Sequence, residues 1–109
     1  MGRIGSDGGA QASVEVQVDE NGDATITVAG ELDVSNVDEL AAMVEPVLDK
    51  RPLHVRFDLQ RLEFMDSSGI ALFLRVAARV DAVSLLRPTS IVRRIVTSTG
   101  LADVLPMEP

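Results

Sequence analysis

The stretch that most limits what this chain can fold into is residues 14–32. Val14, Val16 and Val18 alternate with Glu15 and Gln17, and Ala24, Ile26, Val28, Gly30 and Leu32 alternate with Thr25, Thr27, Ala29 and Glu31. A period of two belongs to a strand with one buried face. Between the runs, Asp19-Glu20-Asn21-Gly22-Asp23 supplies turn chemistry, and Asn-Gly is the strongest short hairpin signal because both residues tolerate positive φ. Together they predict an antiparallel hairpin.

The rest of the chain alternates helix with strand. Ser35 with Asp38 three residues on predicts a capping box, and Val37, Leu40, Ala41, Val44, Val47 and Leu48 follow at helical spacing to about Asp49. Pro46 lies inside that pattern, where it removes a hydrogen bond and presses on the carbonyl of Ala42, so a kink or an irregular last turn is expected. Residues 53–59 alternate again and predict a third strand, parallel to the second because a helix crosses over between them. Residues 70–80 form a second helix. Its charged positions, Arg75 and Arg79, occupy one narrow stripe, so it is predicted to lie between the sheet and a neighbouring helix, with an edge near Leu72 and Val76 left for a partner. Ala82–Leu86 is a fourth strand. Thr89 or Ser90 caps a third helix that stops at Gly100, with Leu101 folding back on it. The expected architecture is a single α/β domain over residues 13–105, with a mixed four- to five-stranded sheet, preceded by a disordered leader at 1–12 and followed by a loose tail at 106–109.

Composition excludes several functions. There is no cysteine, so disulfides, zinc-thiolate sites and thiol catalysis are ruled out. A net charge of −7 argues against a nucleic-acid or anionic membrane surface, both of which need clustered Lys and Arg. No apolar run is long enough to cross a bilayer and the glycine-rich opening is not a signal peptide, so the chain reads as cytoplasmic. His54, the one histidine, falls on the polar side of a strand without carboxylate or cysteine spacing, and reads as a surface residue, not a metal ligand.

The chemistry concentrates at Phe64-Met65-Asp66-Ser67-Ser68-Gly69, where residues 60–65 hand over to the second helix. Hydroxyls placed at a helix N-terminus meet unpaired N–H groups and partial positive charge. Ser67 or Ser68 can therefore cap the helix, which contributes about 0.5–2 kcal/mol, or Ser67 can be a modification site whose phosphate that terminus holds. A hydrolase elbow is absent because no glycine precedes Ser67, and there is no phosphate-binding loop of the G-x-x-x-x-G-K-[ST] kind. A receiver domain phosphorylated on Asp66 would need an acidic pair after the first strand and a late lysine, and the single lysine is Lys50. Asp33 ends the second strand, and parallel strands bring their C-terminal ends together. It reads either as a helix-start residue or as part of a binding surface around Ser67.

With Gly30-Glu31-Leu32-Asp33, then Phe64-Met65-Asp66-Ser67-Ser68-Gly69-Ile70-Ala71, and Ser98-Thr99-Gly100-Leu101 near the end, residues 14–105 resemble a STAS domain of the stand-alone bacterial anti-sigma factor antagonist class. The resemblance implies a STAS-like fold and a binding protein, not an enzyme, that needs no cofactor or metal. It implies a partner, an anti-sigma factor that is itself a serine kinase, whose sigma factor is released on binding. It also implies that Ser67 is phosphorylated by that kinase and dephosphorylated by a phosphatase. Asp33, Asp66, Ser67, Ser68 and Gly69 match the surrounding pattern, and Leu72 marks the adjoining helix edge. One departure is that the segment between Gly69 and the fourth strand is several residues shorter than in typical members. Two alternatives follow from the wider family, a module sensing a nucleotide or anion, and a scaffold subunit of a stress-signalling complex.

Overall fold

The computed structural model describes residues 2–5 and 8–109; the expectations placed on Met1, Ser6 and Asp7 lie outside the described residues. Its elements in chain order are β1 (Gly2–Ile4), β2 (Ala12–Val18), β3 (Ala24–Leu32), α1 (Val37–Asp49), β4 (His54–Asp58), β5 (Leu62–Met65), α2 (Ser67–Ala77), β6 (Ala82–Leu86), α3 (Ser90–Ser98) and β7 (Met107–Glu108). The predicted hairpin is β2 with β3, antiparallel from Ala12↔Gly30 to Val18↔Ala24. Its turn is built on Asp19, whose Oδ1 accepts from the N–H groups of Asn21 and Asp23 at 2.8 and 3.0 Å. Of the Asn-Gly pair only Gly22 takes positive φ, so the link is an Asp-centred loop and not a two-residue turn.

The crossovers are parallel, as expected. β3 pairs with β4 from Ala24↔Val55 to Thr27↔Asp58, and β4 with β6 from His54↔Ala82 to Asp58↔Leu86. Alternation puts Ala24, Ile26, Val28, Val55, Phe57, Val83 and Leu85 into the core, where Phe73 of α2 packs against Phe57 in a tilted pair with ring centroids 4.5 Å apart. Leu40, Val44, Val47 and Leu48 bury the inner stripe of α1.

The sheet has seven strands, in the order β1-β2-β3-β4-β6-β7 with β5 beside β3, and not the four or five read from the pattern. Three short strands were missed. Gly2–Ile4, assigned to the leader, pairs antiparallel with Ala12–Val14 and buries Ile4 to 3% exposure. Met107–Glu108, assigned to the loose tail, pairs with Leu85 and Leu86, and the adjoining Leu105 is fully buried. Residues 60–65 contain β5, which runs parallel to the far half of β3.

Gly30 makes that last arrangement possible. β3 shifts register between Gly30 and Glu31 as it passes from β4 to β5. Gly30 has φ +102°, and a Cβ there would lie 2.6 Å from the carbonyl oxygen of Gln11, so a β-bulge at this point admits no side chain.

The helix ends correct several expectations. Ser35 does not cap α1; Asn36 is the N-cap residue and makes no side-chain cap bond. The helix continues through Pro46 to Asp49, and the irregularity comes just beyond, where Lys50 and Arg51 N–H groups reach back only three residues, to Val47 and Leu48. The second helix starts at Ser67, three residues earlier than its apolar periodicity suggested. Thr89 precedes α3, but its hydroxyl donates to the carbonyl of Leu62 in β5 at 3.0 Å instead of capping. Gly100 does end α3, its N–H on Thr97 and the Leu101 N–H on Val96 forming a Schellman motif.

Candidate functional site

Two strand ends build the site. Leu32 and Met65 are register partners at the C-terminal ends of β3 and β5, and the Asp66 N–H donates to the Leu32 carbonyl at 3.3 Å. The residues that follow, Asp33 on one strand and Asp66 on the other, are thereby brought to the same end of the sheet. The sequence reasoning placed the second and third strands there; the neighbour that completes the site is β5, because β4 pairs with β3 only as far as Thr27.

Asp66, and neither serine, caps α2. Its Oδ1 accepts from the Ser68 N–H at 2.9 Å and from the Ser68 hydroxyl in a short contact. The Gly69 N–H donates to the Asp66 carbonyl at 3.1 Å. Ser67 occupies the first helical position, is exposed, and its hydroxyl has no hydrogen-bond partner among the described residues. The two serines are thus chemically distinct, one held by the cap and one free.

Gly69 is buried one residue further on. A Cβ there would lie 2.5 Å from Cγ of Met65 and 3.2 Å from Cδ2 of Leu32, so only glycine lets the first turn of α2 rest directly on both strand ends. That contact fixes where Ser67 projects.

Asp33 is tied into the start of α1. Its Oδ1 accepts from the Ser35 N–H at 2.8 Å and the Ser35 hydroxyl at 2.6 Å. Beside it Asn36, 1% exposed, accepts from the Asp33 N–H at 3.0 Å through Oδ1, and its Nδ2 donates to the carbonyls of Glu31 and Ala10 at 2.9 and 3.1 Å. The helix-start role of Asp33 is therefore realised in the geometry, and its half-exposed carboxylate still faces the same end of the sheet as Ser67.

Leu72 is not an exposed edge. It is 3% exposed and Val76 1%, both packed in the core, which corrects the expectation of an edge left open there. Phe64 is the residue that sequence reasoning passed over. It is 45% exposed on β5 opposite Glu31, and with Asp33, Ser35 and the Gly8-Gly9-Ala10 segment it walls an open cleft of about 520 Å³. Val34, 76% exposed, follows Asp33 on the same end. The signal was weak because β5 buries Leu62 and Met65 three residues apart, which breaks a period of two.

His54 lies away from this end. It is half-buried, not a surface residue, with Nε2 2.9 Å from the Ser84 hydroxyl across the β4–β6 pair. Among the described residues no group of three or more His, Cys, Asp or Glu side chains is placed to hold a metal ion, and no helix is long and apolar enough to cross a membrane.

Comparison with known proteins bears on the fold. The fold is shared with the anti-sigma factor antagonist SpoIIAA in its unphosphorylated form, at 24% identity and TM-score 0.77 over 89% of each chain. It is shared with an anti-sigma factor antagonist from Mycobacterium paratuberculosis, at 22% identity and TM-score 0.79 over 96% of this chain and 90% of that one. The Bacillus cell fate determinant SpoIIAA in its phosphorylated form matches at 22% identity and TM-score 0.71, over 89% of this chain and 92% of that one. Likeness at these identities establishes the fold alone. Among curated protein sequences none matches significantly. The family model described as "Mlab, STAS domain" matches residues 16–106, and with that match the chain belongs to the STAS domain family.

Proposed function

We propose that this protein is an anti-sigma factor antagonist of the cytoplasm, acting by binding and not by catalysis, and controlled by phosphorylation of Ser67. The observation that carries the reading is the pairing of Asp66 with Ser68, which leaves Ser67 as the exposed, unbonded hydroxyl at the head of α2. The likeness in fold to antagonists of this kind supports it. The partner is an anti-sigma factor with serine kinase activity, and a phosphatase restores the free hydroxyl. Docking uses the end of the sheet where Asp33, Val34, Phe64 and the first turn of α2 meet, an aromatic and an aliphatic side chain set among carboxylates.

Phosphorylation adds a charge of about −1.5 to −2 beside Asp66. Because the Asp66 carboxylate already takes the Ser68 N–H, the phosphate is not drawn into the cap and stays on the docking face. The fold is kept and the interface acquires a desolvated like charge.

Size-exclusion chromatography of the purified protein with anti-sigma factors of the kinase type, with and without ATP, tests this directly, followed by mass spectrometry of the modified chain. A complex that ATP dissolves, with phosphate on Ser67, is the expected result. Phosphate on Ser68, or a complex indifferent to ATP and to Ser67, would overturn the assignment.

A further inference from the structure

α1 and α2 leave a groove of about 270 Å³ between them. Its floor is Val44 and Leu48 from one helix and Leu72 and Val76 from the other, all less than a tenth exposed. Two cations stand on its rim, and their situations differ. Arg79 reaches Glu45 at 2.5 Å and Asp49 at 3.8 Å, so its charge is answered and the two walls are tied together. Arg75, one helical turn earlier, lines the same groove, is exposed, and has no carboxylate within ion-pair distance among the described residues. Among the described residues seven of the nine arginines make no ion pair, and of these seven Arg75 is the one that lines this apolar groove.

We propose that this groove binds a small amphipathic carboxylate, a short acyl chain lying on the Val44, Leu48, Leu72 and Val76 floor with its carboxylate on Arg75. Size and charge both select this class. One turn of a docking helix, about 5.4 Å long and 10–12 Å across, fills on the order of 500 Å³. The groove holds about half that, and the Arg79–Glu45 pair bridges its walls. A single alkyl chain fits the space, and the volume falls just under the usual range for ligand sites of about 300–1,000 Å³, which argues for a short chain. A guanidinium favours a carboxylate over a neutral or cationic head group, because its planar donors match the two oxygens. None of Asp33, Phe64 and Ser67 lines it.

Octanoate, 1-octanol and octylammonium, titrated into the full chain and followed through its amide NMR resonances, test the floor and the rim separately. Octanoate is expected to shift resonances along the facing sides of α1 and α2 and to bind about fivefold more tightly than octanol, the scale of one partly exposed ion pair, with octylammonium weakest. Arg75→Gln, at an exposed position, should bring octanoate down to the affinity of octanol and leave octanol unchanged. Ala41→Leu, on the half-exposed wall, should weaken all three. Equal affinities for the three probes, octanoate binding unaffected by Arg75→Gln, or shifts centred on the Phe64 cleft would overturn the proposal. So would groove resonances that respond to an anti-sigma factor and to none of the probes, which would make the groove a protein interface.

Discussion

Asp66 and Ser68 are bonded twice, the carboxylate oxygen of one accepting both the backbone N–H and the hydroxyl of the other. This contact does the capping that the sequence offered to the serines, and it separates two neighbouring hydroxyls into a structural one and an available one.

Removing the cap should cost stability. Asp66→Ala is expected to lose about 1 kcal/mol, or roughly 4–8 °C in melting temperature, while Asp66→Asn, which keeps an acceptor, should lose less than half of that. Thermal denaturation followed by circular dichroism measures both. A melting point unchanged in Asp66→Ala would mean that the carboxylate does not cap α2 in solution.

At Ser67 stability and binding should come apart. Ser67→Ala and Ser67→Glu are both expected to melt within about 0.5 kcal/mol of the parent, since the side chain is exposed and unbonded and an acidic residue at a helix start is favourable. Binding to the anti-sigma factor should persist in Ser67→Ala, without ATP-dependent modification, and fall in Ser67→Glu by several kcal/mol as a like charge enters the interface. Calorimetric titration reads the difference; equal affinities for the two variants would count against a switch at this position.

Gly69→Ala should be disproportionately damaging for a single methyl. The new Cβ has Met65 Cγ at 2.5 Å and Leu32 Cδ2 at 3.2 Å, and Met65 is 1% exposed with little room to move. Overpacking of this kind costs about 1–3 kcal/mol, and the displacement of the first turn should weaken partner binding by more than the same loss of stability elsewhere in the chain. Urea midpoints and binding measured on one preparation would show whether the two effects travel together.

Asn36 and Asp33 test the support beneath the site. Asn36→Ala leaves one partly buried N–H and two carbonyls without their partner and should cost about 2–4 kcal/mol, whereas Asp33→Ala removes a partly exposed acceptor and should cost about 0.5–1.5 kcal/mol. Chemical denaturation gives both values. If Asp33→Ala proved the more damaging, the local network would have been misjudged.

Long periodic segments were legible in the sequence, and short ones were not. Residues 14–32 declared a hairpin because nine alternating positions leave one interpretation, and α1 declared itself through a full apolar stripe. β1, β5 and β7 have three, four and two residues, too few to show a period; they exist because long-range neighbours, Ala12–Val14, Gly30–Leu32 and Leu85–Leu86, leave ladder groups to be paired. The site was legible in outline, since the Asp66-Ser67-Ser68-Gly69 run is contiguous. Which residue caps was not, because Asp, Ser and Asn are all good N-caps and the choice depends on where the helix starts. Phe64 and Asn36 were missed for opposite reasons: one is an apolar residue left outside, the other a polar residue carried inside.

The bulge at Gly30 divides β3 between two parallel partners, β4 before it and β5 after it. Mechanically this makes the sheet a frame and a bracket: the frame holds Phe57 and Phe73, and the bracket carries Asp33, Phe64 and the head of α2. Because Leu32 and Met65 are paired and Gly69 rests on both, a substitution at any of these three displaces Asp33, Phe64 and the head of α2 together, while the β3–β4 pairing before residue 30 stays in place.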